Sequence, residues 1–164
     1  MGQRVESLSG DYVAGFVDGE GCFALKFRTD KQRNKDGTYR QYQYWGAEFA
    51  IVLHPLDAAI LELIREKLGV GKISYKKAGD QVRLSVQSTQ ELLRNIIPFF
   101  EKYPLRGIKR QDFILWCKAV SLIANHKSKT RRGYSNPMGD QIEKELTLIK
   151  SKIDSLKRRG KESR

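Results

Sequence analysis

Two acidic residues, Asp18 and Glu20, follow a run of apolar and small residues that begins at Tyr12. The run is typical of a short helix, for which Ser9 or Asp11 is available as the N-cap. Both acids would then lie where the helix dipole is negative, which disfavours a carboxylate unless a cation offsets its charge. The pattern indicates a metal site, and its plainer interpretation is a C-cap followed by a turn.

Two glycines, Gly15 and Gly19, lie four residues apart and therefore share one face of that helix. A glycine inside a helix costs about 1 kcal/mol relative to alanine. The close approach of a second backbone is a good reason to accept this cost. We therefore expect a tight helix–helix contact on the glycine face, with the two acids at its end.

Residues 13–21 read Val-Ala-Gly-Phe-Val-Asp-Gly-Glu-Gly. This string resembles the full motif of the LAGLIDADG homing endonucleases, and the segment Cys22–Lys26 begins a strand, as it does in that family. The resemblance implies that Glu20, at the second acidic position, is a catalytic metal ligand, with the Gly19 carbonyl as a companion ligand. Asp18, at the first acidic position, would be structural. The expected metal is Mg²⁺, with Mn²⁺ as a substitute, because Mg²⁺ takes oxygen ligands and assists phosphodiester hydrolysis.

The charge of the chain points to a polyanionic partner. Its 164 residues include 31 Lys and Arg against 19 Asp and Glu, which gives a formal net charge of +12 and a sequence pI near 9.8. Nucleic acid is the simplest partner for such an excess. An acidic membrane surface is the rival, but the sequence has neither a basic amphipathic helix with a broad aromatic face nor a run of about 20 apolar residues.

The two cysteines, Cys22 and Cys117, have neither pairing nor metal-ligand spacing, and this favours reduced thiols. The N-terminus has no signal-peptide pattern. We therefore expect a soluble intracellular protein. The sequence does not distinguish an organelle (chloroplast or mitochondrion) from a prokaryotic cytoplasm.

Hydrophobic periodicity predicts a single α+β domain, 1–164, with the order α-β-β-α-β-β-α-α-α. The predicted strands are 22–29, 39–53, 72–77 and 81–87, and the predicted helices after the first are 55–68, 89–100, 109–124 and about 140–157. The core would be about 9–124, followed by a basic linker, 125–139. The family resemblance implies an αββαββα unit whose antiparallel strands form a DNA-binding saddle, with extra C-terminal helices.

An antiparallel ribbon fits the major groove and presents alternate side chains to base edges. Arg and Lys suit guanine, and Gln suits adenine. The alternative is an ordinary solvated strand face, but the net charge and the motif together favour DNA contact. The residues predicted to contact DNA from the strands are Ala24, Lys26, Arg28, Arg40, Tyr42, Tyr44, Ser74, Lys76, Gln81 and Arg83.

Glu48 shares that face, and two interpretations stay open: it accepts a hydrogen bond from cytosine, or it pairs with a neighbouring basic group. A second basic stretch, in the predicted linker, is expected either to touch phosphates or to be solvated, because a flexible loop neutralises charge better than it positions donors. This stretch consists of Lys127, Lys129, Arg131 and Arg132.

The resemblance also implies a basic residue near the start of the helix predicted over 109–124. Lys109 is the best match, with Arg106 and Arg110 as alternatives, and its role would be to stabilise charge or orient water. Many family members place a polar residue where this chain has Leu53. Either the adjacent His54 takes over that role, or substrate and metal alone order the water, and His54 is equally suited to capping the next helix.

The chain contains one copy of the motif, whereas two-motif family members are roughly double its length. The resemblance therefore implies a homodimer whose motif helices pack across a two-fold axis and bring two Glu20 side chains together. Its predicted seam consists of Val13, Gly15, Phe16 and Gly19. Such a dimer would read a long pseudo-palindromic site.

The expected function is that of an Mg²⁺-dependent homing endonuclease that cuts double-stranded DNA sequence-specifically. Two alternatives use the same fold: an intron RNA maturase and a DNA-binding protein that does not cleave. The presence of Glu20 favours cleavage.

Overall fold

The computed structural model describes residues 7–129 and 139–162. Its central element is a four-stranded antiparallel sheet. Its strands are β1 (Gly21–Arg33), β2 (Tyr39–Leu53), β3 (Lys72–Tyr75) and β4 (Val82–Val86), in the spatial order β1-β2-β4-β3. The helices are α1 (Gly10–Glu20), α2 (Ala58–Leu68), α3 (89–102), α4 (Lys109–Lys129) and α5 (Asp140–Glu162). The predicted α+β fold is confirmed, and pairing of β2 with β4 joins the two predicted hairpins into one sheet.

Helix α1 begins as the sequence predicts. Ser9 is its N-cap, and the Ser9 hydroxyl accepts a hydrogen bond of 3.1 Å from the Tyr12 N–H. One face of the helix, which includes Val13, Ala14 and Val17, is buried against the sheet. The motif helix is therefore fixed to its own domain along one side only.

The first hairpin is longer than predicted. Strand β1 continues to Arg33, which pairs with Tyr39, so the turn occupies 34–38 and not the predicted 30–38. Gly37 adopts a φ of +86°, the left-handed conformation that glycine takes without steric cost. The polar residues 30–33 read as a loop in the sequence, but backbone pairing with β2 keeps them in the strand.

Helix α3 shows how the chain accommodates a proline inside a helix. Ser88, and not the neighbouring Thr89, is its N-cap. The segment Leu92–Ile96 is π-helical, and α-helix resumes over Ile97–Lys102. Because Pro98 has no N–H to donate, it lies in the first turn after the π segment, where that donor is not needed. The helix widens at the π segment and continues to Lys102, two residues beyond the predicted end at 100.

The core lies between the sheet and the helices, and aromatic rings fill the part of it nearest the motif. Phe23 of β1 contacts Phe49, Phe100, Phe113 and Trp116, with ring centroids between 5.1 and 5.7 Å apart. All five side chains are buried. Burial of these large apolar surfaces stabilises the strand that follows the motif helix directly.

Strand β1 is an edge strand, and the two C-terminal helices donate hydrogen bonds to carbonyls near its start. The indole Nε1 of Trp116, in α4, donates a hydrogen bond of 3.0 Å to the Ala24 carbonyl. The ammonium of Lys157, in α5, donates one of 3.1 Å to the Phe23 carbonyl. Helix α5 is therefore part of the domain that carries the motif.

Helix α4 continues to Lys129, so residues 125–129 of the predicted linker are helical. The stretch is polar, but it contains neither glycine nor proline, and polarity alone does not end a helix. The remaining linker residues, 130–138, lie outside the described residues. Helix α5 begins at Asp140, as predicted, and the middle of its apolar stripe (Leu146, Ile149 and Ile153) is buried.

Asp18 connects the C-terminal end of α1 to the N-terminal end of α4. Its carboxylate accepts hydrogen bonds from the Arg106 N–H at 2.8 Å and the Gly107 N–H at 3.2 Å. A Cβ atom on Gly107 would lie only 3.2 Å from the Asp18 Oδ1 atom, so glycine allows this approach. The positive end of the α4 dipole offsets a carboxylate that the end of α1 disfavours.

We predict that Trp116→Phe lowers the free energy of unfolding by about 2 kcal/mol, because it removes a buried hydrogen bond along with indole packing. Trp45→Phe is the matched control: Trp45 is also buried, but its Nε1 has no hydrogen-bond partner among the described residues. Its cost is therefore expected to be smaller. Chemical denaturation measures both, and equal losses would contradict a stabilising role for the Trp116–Ala24 bond.

We also predict that Asp18→Ala lowers the free energy of unfolding by about 2 kcal/mol, because two N–H groups just before α4 lose their acceptor. Asp11→Ala removes the same charge from the exposed first turn of α1 and should cost about 0.5 kcal/mol. Thermal and denaturant unfolding compare the two variants. A loss no greater for Asp18→Ala than for Asp11→Ala would show that the α1–α4 connection is not stabilising.

Candidate active site and nucleic-acid interface

Glu20, the predicted metal ligand, is the last residue of α1, and its side chain faces solvent. Its carboxylate makes no hydrogen bond or ion pair with any other residue in the ranges 7–129 and 139–162. The Gly19 carbonyl, the predicted companion ligand, belongs to the same helix end. Carbonyls of a last helical turn lack intrahelical partners and are free to bind a cation or a donor.

Lys109, the predicted basic residue, lies beside these groups. Its ammonium donates a hydrogen bond of 3.2 Å to the Gly19 carbonyl, although the two residues are 90 positions apart. Lys109 is the first residue of α4, so the hydrogen bonds that Asp18 accepts also fix its position. Burial lowers the pKa of Lys109, while its electrostatic interactions with nearby groups, the carboxylates of Asp18, Asp112 and Glu20 among them, oppose that shift.

The donor atoms at this site fit a hard divalent cation. Within the described parts of the chain, no cluster of three or more His, Cys, Asp or Glu residues is present that would hold a metal alone. Glu20 and Gly19 instead offer one carboxylate and one carbonyl, both oxygen donors. Mg²⁺ is commonly bound by one or two carboxylates together with waters and substrate phosphates. The residues present therefore fit such an ion when a phosphate completes its shell.

A buried carboxylate and a half-buried ammonium, those of Asp112 and Lys157, were not identified in the sequence. Asp112 is 7% exposed, and its Oδ1 atom has no hydrogen-bond partner among the described residues. Burial raises its pKa, and the positive charges of Lys157 and Lys109 oppose the rise. The Lys157 ammonium also lies 3.7 Å from the Cys22 sulfur. No sequence signal pairs Lys157 with β1, because 134 residues separate it from Phe23.

The polar residue expected at the end of β2 is absent from that position, and the neighbouring histidine has a structural role. Leu53 packs against the core. The Nδ1 atom of His54 accepts a hydrogen bond of 3.3 Å from the Leu56 N–H and caps the short 3-10 turn Pro55–Asp57. Of the roles expected for His54, capping of the following helical turn is the one observed.

The side of α1 that faces away from the core is open. Tyr12, Gly15, Phe16 and Gly19 line it, and no atom lies within 4 Å of the positions that a Cβ would take on either glycine. The rings of Tyr12 and Phe16 stack with centroids 6.3 Å apart. The prediction that Val13 belongs to this seam is wrong: Val13 is fully buried in the core of its own domain, because it lies on the opposite side of the helix.

The face of the sheet that points away from the core, here called the outer face, carries polar residues in the alternation that the sequence predicts. In the register of β1 with β2, Ala24 lies opposite Glu48, and Arg28 opposite Tyr44. Ser74 of β3 lies opposite Arg83 of β4. Beyond these strands, the Lys76 N–H donates a hydrogen bond of 3.0 Å to the Gln81 carbonyl, which extends the second hairpin.

The first hairpin also carries Arg40 and Tyr42, which pair in register with Gln32 and Asp30. The Tyr44 hydroxyl donates a hydrogen bond of 2.8 Å to the Asp30 carboxylate. That bond raises the pKa of Tyr44, so its hydroxyl remains a donor. The side chain of Tyr42 lies outside the described structure.

Glu48 lies at the centre of an ion-pair cluster on the outer face. Its carboxylate binds the Lys26 ammonium, and its Oε1 atom accepts from Arg83 Nη2 at 2.8 Å and from Gln87 Nε2 at 2.9 Å. The side chain is 1% exposed. Burial raises its pKa, but the hydrogen bonds from Lys26, Arg83 and Gln87 outweigh burial and lower the pKa to about 2. Glu48 is therefore ionised at neutral pH.

This cluster decides between the two interpretations of Glu48. Contact with cytosine is contradicted, because the carboxylate is covered and its oxygens already accept from three side chains. Pairing with neighbouring basic groups is what the structure contains. Gln87, which the sequence analysis missed, also accepts a hydrogen bond of 3.5 Å from Arg28 Nη1 and so extends the cluster along the face.

The second basic stretch is only partly described. Lys127 and Lys129 lie in the last turn of α4, with side chains outside the described structure, and Arg131 and Arg132 lie outside the described residues altogether. The phosphate contacts predicted for this stretch stay a prediction. No helix among the described residues is long and apolar enough to cross a membrane.

Comparison with known proteins agrees with this arrangement. Residues 13–120 match the family model described as LAGLIDADG endonuclease. The probable intron-encoded endonuclease 3 of Neurospora crassa is 34% identical over 126 residues, which make up 76% of this chain and 22% of that protein. Other curated relatives are matched over similar fractions, so the chain spans about a quarter of the length of the relatives matched first.

Two solved structures share the fold. The I-LtrWI LAGLIDADG homing endonuclease bound to target DNA superposes with a TM-score of 0.74 at 24% identity, over 93% of this chain and 46% of that chain. I-SmaMI bound to an uncleaved DNA target in the presence of calcium ions gives 0.73 at 24% identity, over 90% and 45%. Since the family model covers more than half of the residues and includes the motif helix, the chain belongs to the LAGLIDADG endonuclease family.

Proposed function

We propose that this chain is a metal-dependent endonuclease that cuts double-stranded DNA at a specific sequence. The observation that carries the proposal is the solvent-facing carboxylate of Glu20, at the end of α1 beside the Gly19 carbonyl and the Lys109 ammonium. The same chain presents the basic outer face. A relative is named as a probable intron-encoded endonuclease, and two proteins of the same fold are bound to DNA.

The proposed metal is Mg²⁺, with Mn²⁺ as a substitute, because the protein offers oxygen donors. When bound, the ion supplies an activated water and stabilises the leaving oxygen. Glu20 and the Gly19 carbonyl are the residues that would hold it. Lys109 places a positive charge next to these ligands, where negative charge develops on the phosphate during hydrolysis. Asp18 fixes the distance between the two helix ends through its hydrogen bonds to 106 and 107.

The active unit is proposed to be a homodimer that meets along the open side of α1. The stripe of Tyr12, Gly15, Phe16 and Gly19 has the i, i+3, i+4, i+7 spacing of a helix-packing face, and its two glycines leave room for a second backbone. The solved structures of the same fold are about twice as long as this chain. A two-fold pair of α1 helices brings two Glu20 side chains together, and its DNA target would be pseudo-palindromic.

We predict that Glu20→Gln abolishes cleavage, with a loss of at least about 100-fold, because an amide is a poor Mg²⁺ ligand, while DNA affinity is kept. Purified protein with Mg²⁺ is incubated with a plasmid pool that carries randomised inserts, and the cut ends are sequenced. Glu62→Gln, an exposed change on α2, is the control and should cut normally. Full activity of Glu20→Gln would remove the metal-ligand role, and a wild-type protein that cuts nothing in the pool would contradict the nuclease proposal.

We predict that Gly15→Leu converts the dimer to monomer and removes cleavage, because a leucine would fill the space that the partner helix needs. The folded monomer should be kept, since nothing lies within 4 Å of that position. Ala59→Leu, at an exposed position of α2, is the matched control and should stay dimeric. Sedimentation equilibrium gives the masses, and a Gly15→Leu protein that is still a dimer would place the interface elsewhere.

A further inference from the structure

We propose that Glu48 determines DNA specificity without touching DNA, by holding Lys26 and Arg83 in fixed positions on the outer face so that they read guanine bases. The proposal rests on the proposed DNA-binding function and adds a positioning residue to it. Glu48 would not contact a base itself and would act through the two cations that cover it.

The Glu48 carboxylate is covered from solvent, whereas its two cationic partners are exposed. The Glu48 side chain is 1% exposed, whereas those of Lys26 and Arg83 are 43% and 36% exposed. The two cations come from β1 and β4, on either side of the strand that carries Glu48. A ligand that approaches the outer face therefore meets the ammonium and the guanidinium, and not the carboxylate.

Lys26 and Arg83 have more N–H donors than Glu48 can engage. An ammonium has three N–H donors and a guanidinium five, and binding to Glu48 engages only some of them. The remaining donors can bind O6 and N7 of guanine in the major groove. Long basic side chains lose conformational freedom when they bind, and this loss opposes binding. A pair already held by an ionised carboxylate has lost part of that freedom before DNA arrives.

Small residues around Glu48 leave room for the side chains of Lys26 and Arg83 to reach it. On the outer face, Ala24 lies opposite Glu48, Gly46 opposite Lys26, and Ala50 opposite Ser85. These small residues allow the long side chains to lie across the sheet towards one carboxylate. Larger residues of the same strand flank this stretch, with Tyr44 on the side of the hairpin turn and Val52 opposite Arg83.

The carboxylate of Glu48 also lowers the net charge of this part of the outer face. Two cations and one carboxylate carry a net charge of +1, so the cluster attracts phosphates less strongly than two free cations would. Phosphate attraction is independent of sequence and weakens with salt, whereas base contacts discriminate. Glu48 therefore lowers non-specific binding while it orients the donors that give specificity.

The test compares Glu48→Gln with Asp80→Asn. Asp80 pairs with Lys76 at 3.8 Å, and both side chains are 57% exposed, so this variant removes the same charge from an ion pair that lies in solvent. The wild-type protein first selects a consensus from a pool of randomised duplex DNA. The dissociation constants of each variant are then measured on the consensus and on a scrambled duplex, over a range of salt concentrations.

We expect Glu48→Gln to lower the ratio of specific to non-specific affinity by about tenfold and to relax base preference at the positions that Lys26 and Arg83 read. Binding to the scrambled duplex should tighten, and the slope of log K against log salt should steepen by about 0.9. Asp80→Asn should steepen the slope similarly and leave the ratio unchanged. A wild-type ratio and consensus for Glu48→Gln would overturn the positioning role.

Two further variants keep the test decisive. Glu48→Asp retains the charge but shortens the side chain, so it should lower the ratio without a change in salt slope, and it carries the test if Glu48→Gln does not fold by circular dichroism. In an Arg83→Gln background, Glu48→Gln should lower the ratio less than in the wild type, because one of its targets is gone; full additivity would contradict action through Arg83. A wild-type protein that selects no consensus would remove the proposed function together with this inference.

Discussion

The carboxylate of Asp18 accepts the N–H groups of Arg106 and Gly107, and the geometry of the candidate active site depends on this contact. It joins the negative end of one helix to the positive end of another, so two unfavourable helix termini stabilise each other. The following turn of α4 brings Lys109 to the Gly19 carbonyl. The motif thus carries two acids with separate tasks: one holds the framework and the other faces solvent.

Charge on the outer face follows a different rule. There the chain does not simply accumulate positive residues, because Glu48 is buried among them with a pKa of about 2. A carboxylate in that position favours a fixed arrangement of cations over maximal attraction to phosphate. Tyr44 is held in a similar way, because its hydroxyl donates a hydrogen bond to Asp30 of the neighbouring strand. Polar side chains on this face, namely Lys26, Arg83 and Tyr44, therefore contact acids from neighbouring strands.

The sequence predicted the parts that depend on local pattern. Ser9 as a cap, the alternation of β1 and β2, and the acids at the end of α1 follow from short-range rules of hydrogen bonding and periodicity. It failed where a distant contact decides the outcome. Val13 lies three residues before Phe16, as a seam residue would, but packing buries it in the core of its own domain. Glu48 binds several partners only because β4 brings Arg83 and Gln87 beside it. Lys157 carried no signal at all, because its partner lies 134 residues earlier.

The bond from Lys157 to the Phe23 carbonyl has a consequence for how the protein matures. The ribosome makes the motif before helix α5, which supplies the cation that lies beside the strand after the motif. Until α5 has left the ribosome and docked, the edge of β1 lacks this donor, and Asp112 lacks one of its two neighbouring positive charges. Because translation runs from the motif towards α5, a nascent chain that still lacks this helix carries the acids of the motif without the complete domain around them.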